Sequence, residues 1–215
     1  MSNNGRLARW VRVESIAWRI GVIGLAITYA VLHSGGRENL GLALLAIATG
    51  GIGFIAMVCS YVSQVALGLL CSNRTRQVFL KAVLLGLAAI ACRLLARFAG
   101  IPNIRFLAPL FGGFYLFNLL RGHIYLSYQG QRDDLADDFE KHWHHHRYLV
   151  LGLFGIFITL GLLHLPRAVL DNVVEFAMAA IICAGLVLEL RLAKSMGQLA
   201  KALAEPEPIV DDEVF

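Results

Sequence analysis

The stretch DDFEKHWHHHRYLV, residues 137–150, sets four histidines and several carboxylates against the start of a long apolar run. From Asp133 to Val150 there is no Gly or Pro, and Leu135, Phe139 and Trp143 recur at every fourth residue, so the segment is expected to form one helix that continues into the apolar run. On that helix Asp138, His142 and His145 share a narrow face, with His146 one turn beyond His142. A carboxylate and imidazoles at i, i+4 and i+7 can hold Zn²⁺ or another first-row divalent ion, and His123 is the one further histidine placed to add a ligand from a second element. The same residues support two other readings. Acids near a helix N-terminus followed by cations at the headgroups make an ordinary solvated collar. Clustered imidazoles that titrate near neutral pH, beside a stripe of Leu135, Phe139 and Trp143 with His144 next to it, make a docking or gating surface.

A second group of chemically competent residues lies within apolar segments, where a charged side chain costs about 2.5–3.5 kcal/mol on the lower scales and requires a partner or water. Arg93 and Arg97 are one turn apart, as are Asp171 and Glu175. If their helices run in opposite directions, the expected arrangement is a ladder of two ion pairs, Arg93 with Glu175 and Arg97 with Asp171, acting as a clamp or as part of an ion path. Glu189 is expected to pair with Arg19, Lys81 or Arg191. Tyr115, Asn118, Gly122 and Tyr125 form a polar stripe suited to an aqueous path or to hydrogen bonds across helices.

The elements that must position these residues follow from composition. Hydrophobic residues make up 58% and charged residues 16% of the 215-residue chain, and the mean hydropathy is +0.66. Such a chain is too apolar for a soluble domain. Apolar stretches long enough to span a bilayer fall near 15–33, 40–65, 78–98, 105–127, 148–165 and 170–190. Their length and their Leu, Ala, Ile and Gly content fit helices rather than barrel strands. The expected fold class is an all-α, polytopic membrane helix bundle with about six transmembrane helices.

Lys and Arg set the orientation. They cluster at the N-terminus (Arg6, Arg9, Arg12), in the second break (Arg74, Arg76), in the fourth (Arg132, Lys141, Arg147) and near the C-terminus (Lys194, Lys201), which places both termini on the cytoplasmic side. The expected location is a bacterial inner (cytoplasmic) membrane, multi-pass. The expected organisation is a basic interfacial segment over 1–14, a helix bundle over 15–195 that includes an acidic, His-rich cytoplasmic segment over 129–147, and an acidic tail over 196–215. In the N-terminal segment Leu7, Trp10 and Val11 can face lipid while the arginines face headgroups, and a solvated start to the first span is the equal alternative. No small-residue cleavage site follows the first apolar run, so it reads as an anchor.

Small residues mark how the spans pack. Ala17, Gly21, Gly24 and Thr28 in the first, Ala46, Gly50, Gly53, Ala56, Ser60 and Ser63 in the second, and Ala82, Gly86, Ala89 and Ala96 in the third each fall on one helical face. The four cysteines show no disulfide or metal spacing and read as packing residues.

Motifs of known enzyme chemistry are missing from the sequence. GGIGF at residues 50–54 lacks the Lys-Ser/Thr of a phosphate loop, and there is no G-x-S-x-G or H-E-x-x-H. Only His33, His123 and His164 lie outside the tract, too few for the separated histidine boxes of membrane di-iron enzymes. The net charge of +4 is explained by topology and gives no reason to expect a nucleic-acid partner. The expected function is non-enzymatic: an oligomeric pore or channel, or the membrane-embedded subunit of a larger complex, with lipid and either a second copy or another protein as partners and no cofactor. The alternative is a metal-dependent membrane enzyme or metal-ion transporter built on Asp138, His142, His145 and His146.

Overall fold

The computed structural model describes residues 3–34, 39–99, 104, 107–162 and 167–204, with the side chains of 153, 154, 157, 158, 160–162 and 167–178 outside the description. It is all-helical: α1 (Asn3–His33), α2 (Leu40–Leu70), α3 (Asn73–Phe98), α4 (Leu107–Gln129), α5 (Asp133–Leu162) and α6 (Arg167–Ala204). Among the described residues, three of these helices, α1, α2 and α3, are long and apolar enough to cross a membrane.

Each helix packs on its neighbours in the chain, and α6 closes the ring against α1. Local chemistry sets the reversals. Asn39 caps α2, its side-chain oxygen accepting from the N–H groups of Gly41 at 2.9 Å and Leu42 at 3.3 Å. Between α4 and α5, Gln131 takes a left-handed φ of 52°, and the Arg132 N–H donates to the Ser127 carbonyl at 2.9 Å. Arg132 then grips Asp134 through two hydrogen bonds of 2.8 and 2.7 Å, which hold that carboxyl down at about 2. From there α5 runs unbroken out of the acidic, His-rich segment into its apolar half.

The α1–α2 pair shows how the small-residue faces are used. A Cβ built on Gly24 would stand 2.9 Å from the Thr49 carbonyl oxygen and 3.3 Å from the Gly53 nitrogen, so the two backbones touch there. Thr28 and Thr49 hydroxyls, 2.8 Å apart, close the seam. The opposite faces, including Ile47, Phe54 and Ile55, are exposed.

The main core lies at one end of the bundle, where the starts of α1, α3 and α5 meet the ends of α2, α4 and α6. It is built from Leu7 and Val11, Leu67, Phe79, Leu119 and Leu126, Leu135 and Phe139, and Leu192, Met196, Leu199 and Leu203. Two expectations are corrected here. Leu7 and Val11 are fully buried in protein and Trp10 packs against them, so the first turns of α1 are core rather than a lipid-facing segment. Likewise α6 continues to Ala204, and the stretch assigned to the tail contributes Met196, Leu199 and Leu203 to the same core. In both cases an apolar stripe reads alike whether lipid or protein covers it.

Candidate functional site

Polar side chains enter this core on helix faces that are otherwise apolar. Glu14 follows Leu7 and Val11 on α1; His123 lies between Leu119 and Leu126 on α4; His142 and His146 continue the stripe of Leu135 and Phe139 on α5. Burial forces them to find partners.

They do so as two histidine–glutamate pairs of the same design. In the first, His123 Nδ1 lies 2.9 Å from the Leu119 carbonyl and Nε2 lies 3.1 Å from Glu14 Oε2, with neither side chain exposed. Phe79 and Phe139 flank the imidazole, with centroids 5.4 and 5.2 Å away. In the second, His146 Nδ1 lies 2.8 Å from the His142 carbonyl and Nε2 lies 3.1 Å from Glu189 Oε1. The other oxygen of Glu189 accepts from the Trp18 indole N–H at 2.8 Å.

The proton content follows from donor and acceptor capacity. A carbonyl oxygen only accepts, so Nδ1 of each histidine carries hydrogen. The remaining contact then needs one proton between Nε2 and the carboxylate, held either by an imidazolium or by a carboxylic acid. Each pair therefore holds one proton between its histidine and its glutamate. Burial opposes charge on His146, yet the Glu189 hydrogen bond and the His142 carbonyl outweigh it and raise its pKa above the ordinary 6.5. His142, whose Nε2 lies 3.2 Å from Ser195 Oγ, shifts the other way, lowered by burial and then by its neighbour His146.

Beside the second pair, α1, α2, α4 and α6 line a partly open cavity of about 400 Å³, within the range of small-molecule sites. Its wall is mostly apolar, with Trp18, Tyr61, Tyr115, Ser60 and Glu189 as the polar or aromatic residues. Tyr115 stacks on Trp18 at 6.5 Å, packs on Tyr61 at 5.8 Å, and accepts a hydrogen bond from Gln64 at 2.9 Å. Ser15 donates to the Ala193 carbonyl at 2.6 Å and Arg19 reaches the same oxygen at 3.3 Å, tying α1 to α6 beneath the cavity.

The residues singled out from sequence fall in several places. Tyr115 lines the cavity, Asn118 donates to the Phe114 carbonyl of its own helix, and Tyr125 receives Arg121 at 2.8 Å and lies under Arg74. Leu135 and Phe139 are buried within the chain, and Trp143 packs on Phe117 at 4.9 Å, which leaves this stripe occupied internally; His144 remains half-exposed beside Glu140. Of Asp138, His142, His145 and His146, the first three line one surface pocket, and His146 turns instead to Glu189. Among the described residues no group of three or more His, Cys, Asp or Glu side chains is arranged to hold a metal ion. Arg93 and Arg97 are exposed on α3, and the ladder expected for them lies outside the described residues, since the side chains of Asp171 and Glu175 are not described. Glu189 pairs with His146 and Trp18 instead of an arginine or lysine; the ring nitrogens approach from α1 and α5, while Arg19 is taken up by a backbone carbonyl. Sequence reasoning did not single out Glu14, Trp18 or Ser195. The available signal was their position on apolar stripes.

Comparison with protein-family models, curated proteins and solved structures finds no match.

Proposed function

We propose that this chain is an integral membrane protein that crosses the bilayer six times, with both termini and the dense core on the cytoplasmic side of a bacterial inner membrane. On this reading it serves transport rather than catalysis. Its solute site is the cavity between α1, α2, α4 and α6, and the His146–Glu189 pair is a proton-sensitive element in the wall of that site. The observation that carries the proposal is the placement of Glu189: the one side chain pairs with His146 and belongs to the wall of a cavity large enough for a small molecule.

Cavity chemistry narrows the solute. Aromatic rings and a carboxylate in an otherwise apolar wall suit an organic cation with apolar substituents, held by cation–π contacts and charge. Entry of such a cation favours release of the pair's proton, because the carboxylate cannot serve both equally; proton and solute then compete. The test is uptake of tetraphenylphosphonium into proteoliposomes under an imposed proton gradient. Uptake that follows the gradient and is lost in Glu189→Gln supports the reading. Uptake no faster than in protein-free liposomes, from a folded sample, refutes it.

Work as the membrane-embedded subunit of an assembly, or as a homo-oligomer, is favoured by a separate feature, the broad outward apolar face of α2 at Ile47, Phe54 and Ile55. A stoichiometric co-purifying protein together with no transport selects that role.

A further inference from the structure

The surface pocket that takes up Asp138, His142 and His145 has the composition of an anion site. It lies between α5 and α6, has a volume of about 340 Å³, and is also lined by Lys141, Arg191 and Lys194. Asp138 is the single carboxylate in the lining and stands 3.9 Å from Lys141, within one turn of the same helix. The pocket thus holds three cations against one acid. No acid among the described residues pairs with Arg191 or Lys194. A surplus of positive charge repels a divalent metal ion and attracts an oxyanion.

The floor of the pocket supplies a second, independent observation. His142 is only 7% exposed, and its Nδ1 has no hydrogen-bond partner among the described residues. Its other nitrogen is engaged by Ser195. Whichever of Ser195 and Nε2 donates, Nδ1 is left as a buried polar atom without a partner among the described residues. Such an atom costs free energy unless something partners it. Burial, with His146 next to it, lowers the pKa of His142, and the cations supply the charge.

We infer that this α5–α6 pocket binds a phosphate monoester group, with Arg191, Lys194 and Lys141 neutralising its oxygens and His142 in the wall beside them. A planar guanidinium donates to two phosphate oxygens at once, and lysines add charge without fixed geometry. The same chemistry is presented by the headgroup of phosphatidic acid and by a free phosphorylated solute. The pocket follows the apolar window of α6 and precedes that of α5, where a headgroup would lie.

The experiment measures binding of three probes to full-length protein in neutral detergent: phosphatidic acid, phosphatidylcholine and glycerol 3-phosphate. Two charge-matched variants are compared, Arg191→Gln with Lys194→Gln in the pocket, and Arg9→Gln with Arg12→Gln elsewhere on the surface of the same end. Phosphatidic acid is expected to bind at least about tenfold more tightly than phosphatidylcholine, and the pocket variant to lose about tenfold while the control retains its affinity. His142→Gln is expected to weaken binding less, since charge remains. Binding of phosphatidic acid but not glycerol 3-phosphate assigns a lipid source; binding of both assigns a site open to free phosphomonoesters. Equal binding of the two lipids, or equal losses in the pocket and control variants, overturns the inference, because general surface charge would then suffice.

Discussion

The Glu14–His123 pair offers the sharpest energetic test of how this core is held. At the observed 3.1 Å, opposite unit charges attract by about 5 kcal/mol at an effective dielectric constant of about 20. Removing two ions from water costs several kcal/mol each, so the intact pair contributes little net stability. Breaking it is different. His123→Leu leaves the buried Glu14 carboxyl with neither oxygen partnered, since Oε1 already lacks a partner among the described residues. The expected loss is about 3–5 kcal/mol. Glu14→Leu leaves only a neutral imidazole with one unmet acceptor, costing about 1–3 kcal/mol. The double variant replaces the pair by apolar groups of similar size and is expected within about 1 kcal/mol of wild type. Reversible unfolding in mixed micelles, followed by helicity, gives the three values. If the double variant loses the sum of the two single losses, the residues do not act as a pair and the reasoning fails.

Three further outcomes follow from the same geometry. Gly24→Ala would press a methyl against the Thr49 carbonyl at 2.9 Å, whereas a Cβ on Gly51 meets nothing within 4 Å; the first is expected to lose about 1–3 kcal/mol of stability in the same unfolding assay, and the second to be neutral or slightly stabilising. The pH profile of stability has two opposing parts. His146, raised, stabilises fully below the unfolded histidine pKa of about 6.5 and loses that contribution as pH rises through its folded value, while His142, lowered, costs stability as pH falls below about 6.5. Glu189→Gln should therefore flatten the alkaline-side decline, and His142→Leu the acid-side decline, in melting profiles taken between about pH 5 and 8. Cys71 is buried and its thiol is pushed up to about 12 by burial; mass spectrometry should find it unmodified by a thiol-alkylating reagent near neutral pH until the protein is unfolded.

Much of the architecture was legible from periodicity alone. The apolar windows located the helices, the absence of Gly and Pro from 133 to 150 carried α5 through the polar segment, and the small-residue faces of α1 and α2 marked where the backbones meet. Coverage of an apolar stripe was not legible: Leu7 and Val11, or Leu135 and Phe139, have the same pattern whether lipid, a partner or the chain itself lies over them. The site was hidden for a related reason. Histidines 142 and 146 drew attention through their neighbours His144 and His145, which suggested a shared ligand, yet helical spacing sends His146 to α6 and to a glutamate 43 residues away. Glu14 had no local signal except that it continues the Leu7, Val11 stripe and precedes Trp18 by one turn. A lone acid on a buried helical face implies a buried partner, and only tertiary structure says that the partner is His123, 109 residues distant.

The central claim is that His146 and Glu189 hold one proton between them beside the cavity. Nitrogen-15 NMR of histidine-labelled protein, with His146 assigned by its loss in His146→Gln, reads this directly. The account predicts that Nδ1 of His146 stays protonated throughout and that Nε2 titrates above the ordinary histidine value, with the titration shifting downward in Glu189→Gln. A ring with unprotonated Nδ1, or a titration indifferent to residue 189, would contradict it.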